Sequence, residues 1–167
     1  MRYVLLLSAL ALFASVPAST DAGMPQPTDE TLLTVTGKIR ETNAEGRLEF
    51  DRSLLMQLGL SKLTPSTPWT DGERAFMGVP FASLLDAIGA TGTIVRAVAA
   101  NDYVVDIPIS NLREANAFLA MSMDGTQLRL RDKGPLWIIY PWSQRPELNR
   151  IELHGYAVWQ LQSLHIE

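Results

Sequence analysis

The chain has 167 residues, 14 lysines and arginines against 18 aspartates and glutamates, and no cysteine. That length suits one domain with a real core, and 47% apolar residues is an ordinary globular share. The acidic balance argues against nucleic-acid binding, which needs a basic surface. The missing cysteine excludes disulfides, thiolate metal ligands and a cysteine nucleophile.

Arg2, an apolar run from Tyr3 to Ala14 and then Val16-Pro17-Ala18 follow the charged, apolar and small-residue order of a secretory signal peptide. The run is short for a membrane span, which needs roughly 20 apolar residues. Residues 1–18 are therefore expected to be a signal peptide cleaved after Ala18, with Ala22 as the second position and an uncleaved anchor as the alternative. Cleavage removes Arg2 and no anion, leaving 13 of the 14 cations against 18 anions. Residues 19–30, rich in Pro, Ser, Thr and Asp, read as a flexible lead, and 31–167 as the domain.

Leu32, Leu33, Val35 and Ile39 predict a first strand with Gly37 as a possible bulge. Asn43 to Gly46 reads as a turn, and Leu48 and Phe50 as a short second strand. Asp51 can cap a helix that carries Leu54, Leu55 and Leu58 on one face and ends near Gly59. Pro65 and Pro68 favour an extended path up to Trp69, which can pack the core or offer a flat face to a ring. Residues 76–81 lead into a second helix, with Pro80 in its first turn and Leu84, Leu85 and Ile88 buried.

Thr93 to Ala99 predicts a strand of small residues. Asn101-Asp102 predicts a turn, with Tyr103, Val105 and Ile107 alternating along the returning strand. Ser110 can cap a short helix through Ala117. Phe118 to Met123 predicts a strand that enters a hairpin at Asp124-Gly125, where both turn positions must tolerate positive φ. A cationic loop with Arg129, Arg131 and Lys133 then feeds an apolar strand, Leu136 to Tyr140, that Pro141 ends. Such a loop suits an anionic or planar polar ligand, or it is a solvated hairpin beside a core strand. Trp137, inside the apolar strand, reads as core.

Gln144 to Arg150 is a polar loop or short helix. Tyr156, Val158 and Leu161 to Ile166 predict a closing strand. His154 and His165 lie eleven residues apart, which is no recognised zinc spacing, and both read as surface or strand-edge residues. Strands mixed with a few short helices predict a β-rich α+β domain.

Several segments, in order, resemble the molybdopterin-binding domain of the sulfite oxidase superfamily. Residues 76–81 with Leu84-Leu85 resemble its "G-V-P-L, L-L" helix start. Asn101-Asp102-Tyr103 resembles the turn that follows. Residues 120–125 with Leu128 resemble its "L-A-x-x-x-[DN]-G-x-x-L" hairpin, Gly134-Pro135-Leu136 its Gly-Pro strand start, and 158–161 its final strand. Enzymes of that superfamily hold molybdenum partly through a cysteine in the region that corresponds to Thr64–Thr70, and this chain has none. Small exported members with Thr-Pro-Trp in that region resemble periplasmic pterin-binding proteins that control membrane-bound cyclic-di-GMP enzymes or sensor kinases.

The resemblance implies a sulfite oxidase-like fold and a pterin ligand without molybdenum. A pterin is flat, with a donor and acceptor edge, so its site needs an aromatic face, edge partners and exclusion of water. The implied site residues are Trp69 for the face with Thr70 beside it, and Asn101, Asp102 and Tyr103 for the edge. Arg131 and Lys133 would meet a carbonyl or phosphate, and Trp142 and Trp159 would form the walls. The implied partner is the periplasmic domain of a membrane signalling protein. The protein itself would be periplasmic and free of the membrane after cleavage. A molybdopterin oxidoreductase with non-cysteine ligation and a ligand-free interaction module are the alternatives. No Ser/His/Asp triad can be assembled.

Overall fold

The computed structural model describes residues 23–167, so the expected signal peptide lies outside the described residues. Residues 23–30 form no helix or strand, but Thr28 and Asp29 donate their backbone N–H groups to Asp51 Oδ2 at 2.8 and 3.2 Å. The first strand, β1 (Leu33–Gly37), buries Leu33 and Val35 while its threonines stay half-buried. Gly37 closes it at φ 90°, where the Ile166 backbone leaves no room for a Cβ. After the Asn43–Gly46 turn, β2 (Leu48–Phe50) pairs antiparallel with β1. Asp51 caps α1 (Arg52–Gln57) by accepting the Leu54 N–H at 2.8 Å, and Leu54 and Leu55 are buried.

A three-residue strand, β3 (Ser61–Leu63), pairs antiparallel with β4 (Phe76–Pro80); three residues are too few to show a period in sequence. Next comes α2 (Phe81–Ala87), where Pro80 holds the cap position rather than the first turn. The chain continues through β5 (Ile94–Ala99) and β6 (Val104–Pro108). Tyr103 precedes β6 and is exposed. Ser110 does not cap the next helix, α3 (Ile109–Glu114), but lies inside it; Pro108, with its fixed φ, holds the cap position. The hairpin of β7 (Phe118–Met123) and β8 (Thr126–Gln127) turns at Asp124 and Gly125, at φ 49° and 78°. The apolar strand shortens to β9 (Trp137–Ile139).

The expected closing strand is corrected at its start. Residues 151–156 form a helix, α4 (Ile151–Tyr156), which ends at Tyr156, and β10 (Leu161–Ile166) begins five residues later. The helix buries only Leu153, so no helical period of apolar residues marks it.

Among the described residues ten strands make two sheets, ordered β2-β1-β10-β5-β6 and β3-β4-β7-β8, with β9 also pairing β7. The fold is α+β and β-rich. In the first sheet β1 and β10 are parallel, with Thr34 opposite Ser163 and Gly37 opposite Ile166. The segment before β10 ties the sheets together. Trp159 bridges Trp137, the Ile138 N–H donates to Val158 O at 2.9 Å, and the Leu161 N–H donates to Leu136 O at 3.0 Å. An apolar cluster fills the space between, drawing on both sheets and on α1, α2, α3 and α4. Among the described residues no helix is long and apolar enough to cross a membrane.

Candidate ligand-binding site

All four tryptophans of the chain meet at one place. Trp69 lies at the centre. Its ring centroid is 6.0 Å from Trp137, 5.7 Å from Trp142, 5.5 Å from Trp159 and 5.7 Å from His154, each pair edge-to-face. Edge-to-face pairs set the positive rim of one ring on the negative face of the next, each adding about 0.5–1.5 kcal/mol beyond burial. The loop that carries Trp69 is tied by its own hydroxyls. Thr67 is buried, its Oγ1 lies 2.9 Å from Thr70 Oγ1, and it accepts the Trp69 N–H at 3.2 Å. This loop falls in the region where the resemblance places a metal-binding cysteine.

Trp69 remains partly accessible because it lines a cavity of about 220 Å³. The other walls come from Asn101 and Tyr103 before β6, His154 and Gly155 on α4, and Trp159. Asp102 adopts φ 63° between Asn101 and Tyr103, and Asn101 Oδ1 accepts the Tyr103 N–H at 3.3 Å. The turn sends the Tyr103 hydroxyl to Gly155 O at 3.0 Å, latching β6 to α4. Lys133, at φ 68°, holds its Nζ 5.4 Å from the Trp159 ring and 5.7 Å from Trp137.

Five of the residues expected from sequence gather here: Trp69, Asn101, Tyr103 and Trp159 on the walls, and Lys133 behind Trp159. Trp142 touches Trp69 but lines a second, adjoining cavity of about 420 Å³. Three others do not line either cavity. Thr70 spends its hydroxyl on the loop, and Asp102 is the exposed turn residue whose backbone lets Tyr103 face inward. Arg131 is 71% exposed in its side chain, 3.8 Å from Asp132. The cationic loop is thus partly neutralised from within, since Asp132 Oδ2 also takes Arg129 Nε at 2.6 Å.

His154, expected at the surface or on a strand edge, is half-buried on α4, lines both cavities and hydrogen-bonds Asn149 Oδ1 through Nε2 at 2.8 Å. His165 does lie on a strand, with Nδ1 2.9 Å from Thr36 Oγ1. Buried near the cluster, Trp137 Nε1, Trp142 Nε1 and the Tyr140 hydroxyl have no partner among the described residues. Burial pushes the Tyr140 phenol far above its ordinary pKa, with Tyr156 adding to the effect, so it stays a neutral donor.

Chemically the first cavity offers indole faces, a phenol, an amide and an imidazole. That set fits a flat heterocycle with a polar edge. It does not fit molybdenum as the superfamily holds it, because the chain has no thiol. Among the described residues no three His, Cys, Asp or Glu side chains gather as a metal site either.

No curated protein matches the chain. A family model, the oxidoreductase molybdopterin-binding domain, matches residues 44–144, which include the Trp69 loop, the Asn101–Tyr103 turn and the β7–β8 hairpin. With more than half its length matched, the chain belongs to the molybdopterin-binding domain family of sulfite oxidase type.

Proposed function

We propose that the protein is a pterin-binding sensor: it encloses a pterin against Trp69 without catalysis and, after export to the periplasm, reports occupancy to the outer domain of a membrane signalling protein such as a cyclic-di-GMP enzyme or sensor kinase. The observation that carries this reading is a cavity lined by Trp69, Trp159, His154, Asn101 and Tyr103, whose central Trp69 is packed edge-to-face by the other three tryptophans. A flat ring gains from indole contact, and the amide and phenol supply partners for its edge. The absent cysteine favours binding over metal chemistry. A sensor needs different affinities in two states. The wall assigned to differ between states is α4, a six-residue helix that buries Leu153 and whose Gly155 carbonyl accepts the exposed Tyr103 hydroxyl.

The test is ligand identification on protein purified from a native periplasm: mass spectrometry and fluorescence for pterins beside elemental analysis for molybdenum. Pterin without metal is expected, on a chain that begins at Ser19. The Trp69→Ala variant is expected to bind added pterin about 10- to 100-fold more weakly, as removal of a stacking face worth about 1–3 kcal/mol requires. Stoichiometric molybdenum, or full pterin affinity in Trp69→Ala, would sink the reading.

A further inference from the structure

An unpaired strand at the edge of a sheet offers its outward N–H and C=O groups to any other strand. Two edges of this fold are closed by amide side chains. At β2 the Glu49 N–H donates to Asn43 Oδ1, and the Glu49 carbonyl accepts from Asn43 Nδ2, both at 2.8 Å. Just past β3 the Thr64 carbonyl accepts from Gln144 Nε2 at 2.9 Å. The edge at β6 has no such cover among the described residues.

The register fixes which groups β6 leaves open. The Ala99 N–H donates to Tyr103 O and the Ile109 N–H to Thr93 O, both at 2.9 Å, so positions 103, 105, 107 and 109 bond to the β5 side. Val104 and Asp106 fall between them and turn their backbone N–H and C=O groups outward. Neither backbone has a loop partner among the described residues, and Asp106 uses only its carboxylate, on Arg96. Val104 is 50% exposed and the Asp106 side chain 49%. Pro108, which has no N–H, ends the run, and Asp102 at φ 63° turns the chain before it. Two donors and two acceptors thus stand at strand spacing, a set that an extended backbone satisfies together.

Charge narrows the kind of strand. Arg96 divides its guanidinium between Asp106 Oδ1 at 2.8 Å and Glu167 Oε1 at 2.6 Å, and Asp102 is exposed in the turn before β6. These three carboxylates against one guanidinium leave the edge acidic. A second copy of this chain would set the acidic edge against itself, whereas a strand bearing lysine or arginine complements it. Asn101 and Tyr103, directly before the edge, line the first cavity, so a ligand there touches the start of β6.

Resting on the sensor reading for the identity of the partner, we infer that the outer edge of β6 is the docking surface: the signalling protein adds to it a short extended segment that carries lysine or arginine and bonds the backbone groups of Val104 and Asp106.

The test places p-benzoylphenylalanine in the full chain in its native host, in place of Val104 or, as the control edge, of Lys62 on β3, and irradiates the cells. The probe at 104 is expected to join the outer domain of a membrane signalling protein, within an extended segment that carries lysine or arginine, and the probe at 62 to join nothing. Asp106→Pro removes an outward N–H and keeps the ladder to β5; Asp106→Lys reverses the charge. Each is expected to lower the yield at 104 about tenfold with pterin affinity unchanged. If Asp106→Pro loses its near-ultraviolet dichroism, Asp106→Lys alone decides. A product with a second copy of this chain or with a protein outside the membrane, an equal product from 62, or full yield in Asp106→Lys overturns the docking edge and leaves the ligand site in place. Product from neither position, with pterin still bound, overturns the edge and the signalling partner together. The expected product from a chain that binds no pterin upholds the edge and sinks the ligand reading alone.

Discussion

Asp51 is 1% exposed and accepts three backbone N–H groups, from Leu54, Thr28 and Asp29. The Leu54 N–H is the main cause of its lowered pKa; burial opposes it, and the Thr28 and Asp29 groups add to it. Its folded-state value thus lies below the unfolded value of about 3.9. The stabilisation is complete above that value and is lost as pH falls from it through the folded-state value. Asp51→Asn keeps a cap oxygen but turns an amide NH₂ toward backbone N–H groups, which should cost about 2 kcal/mol at pH 7. Urea unfolding should show the gap from the unaltered protein narrowing below about pH 4; a gap constant with pH would contradict the linkage. Asp51 as a cap was legible because Asp before an apolar 3–4 spacing is a local signal. His154 was not. Its role comes from packing against Trp69, some 85 positions away in sequence. The neighbouring Tyr156 and Trp159 hinted at an aromatic site, but no spacing rule connects them to it.

At the scale of elements, strands and helices marked by apolar spacing or a cap were readable, the three-residue β2 among them, whereas β3 and α4 were not. β1, β5 and β7 announce themselves by alternation or apolar runs. β3 and α4 are set by their neighbours: Lys62 pairs opposite Met77, and α4 packs its single buried leucine under the site. The register of β4 on β7 shifts between Met77 and Gly78, where a Cβ on Gly78 would run into the Leu119 carbonyl oxygen. Gly78 has an ordinary φ, so only the close approach of two backbones explains it. Gly78→Ala should therefore destabilise by about 2–4 kcal/mol, by pushing β4 off β7. Gly46→Ala, at φ 67° but in open space, should cost only about 1 kcal/mol. Chemical denaturation of the two variants checks the order; equal losses would mean that the strands move apart at Gly78 at little cost and that crowding does not set its requirement.

Across the whole molecule, the family match and the site overlap only in part. Trp69, Asn101, Tyr103 and Trp142 fall within residues 44–144, whereas His154, Gly155 and Trp159 fall beyond them. The same is true of the sheet: β1 and β10 lie outside the matched span and sit next to each other near its middle. The α+β class was readable from alternating elements, but the parallel pairing of an early strand with the last one was not, because nothing local records a partner more than a hundred residues away. That pairing has a mechanical consequence. Because β1 and β10 run the same way, the leading end of one and the trailing end of the other lie at opposite ends of their ladder. Tension applied between the two chain ends loads the ladder in shear, so its hydrogen bonds bear the force together. Handles at positions 94 and 108, which face each other across the antiparallel β5–β6 pair, would instead peel edge strand β6 away bond by bond. In a single-molecule pulling experiment, end-to-end stretching should need the larger force, and an equal or smaller one would show that the domain yields elsewhere first. A chain tugged by its termini would thus keep its tryptophan pocket shut under tension.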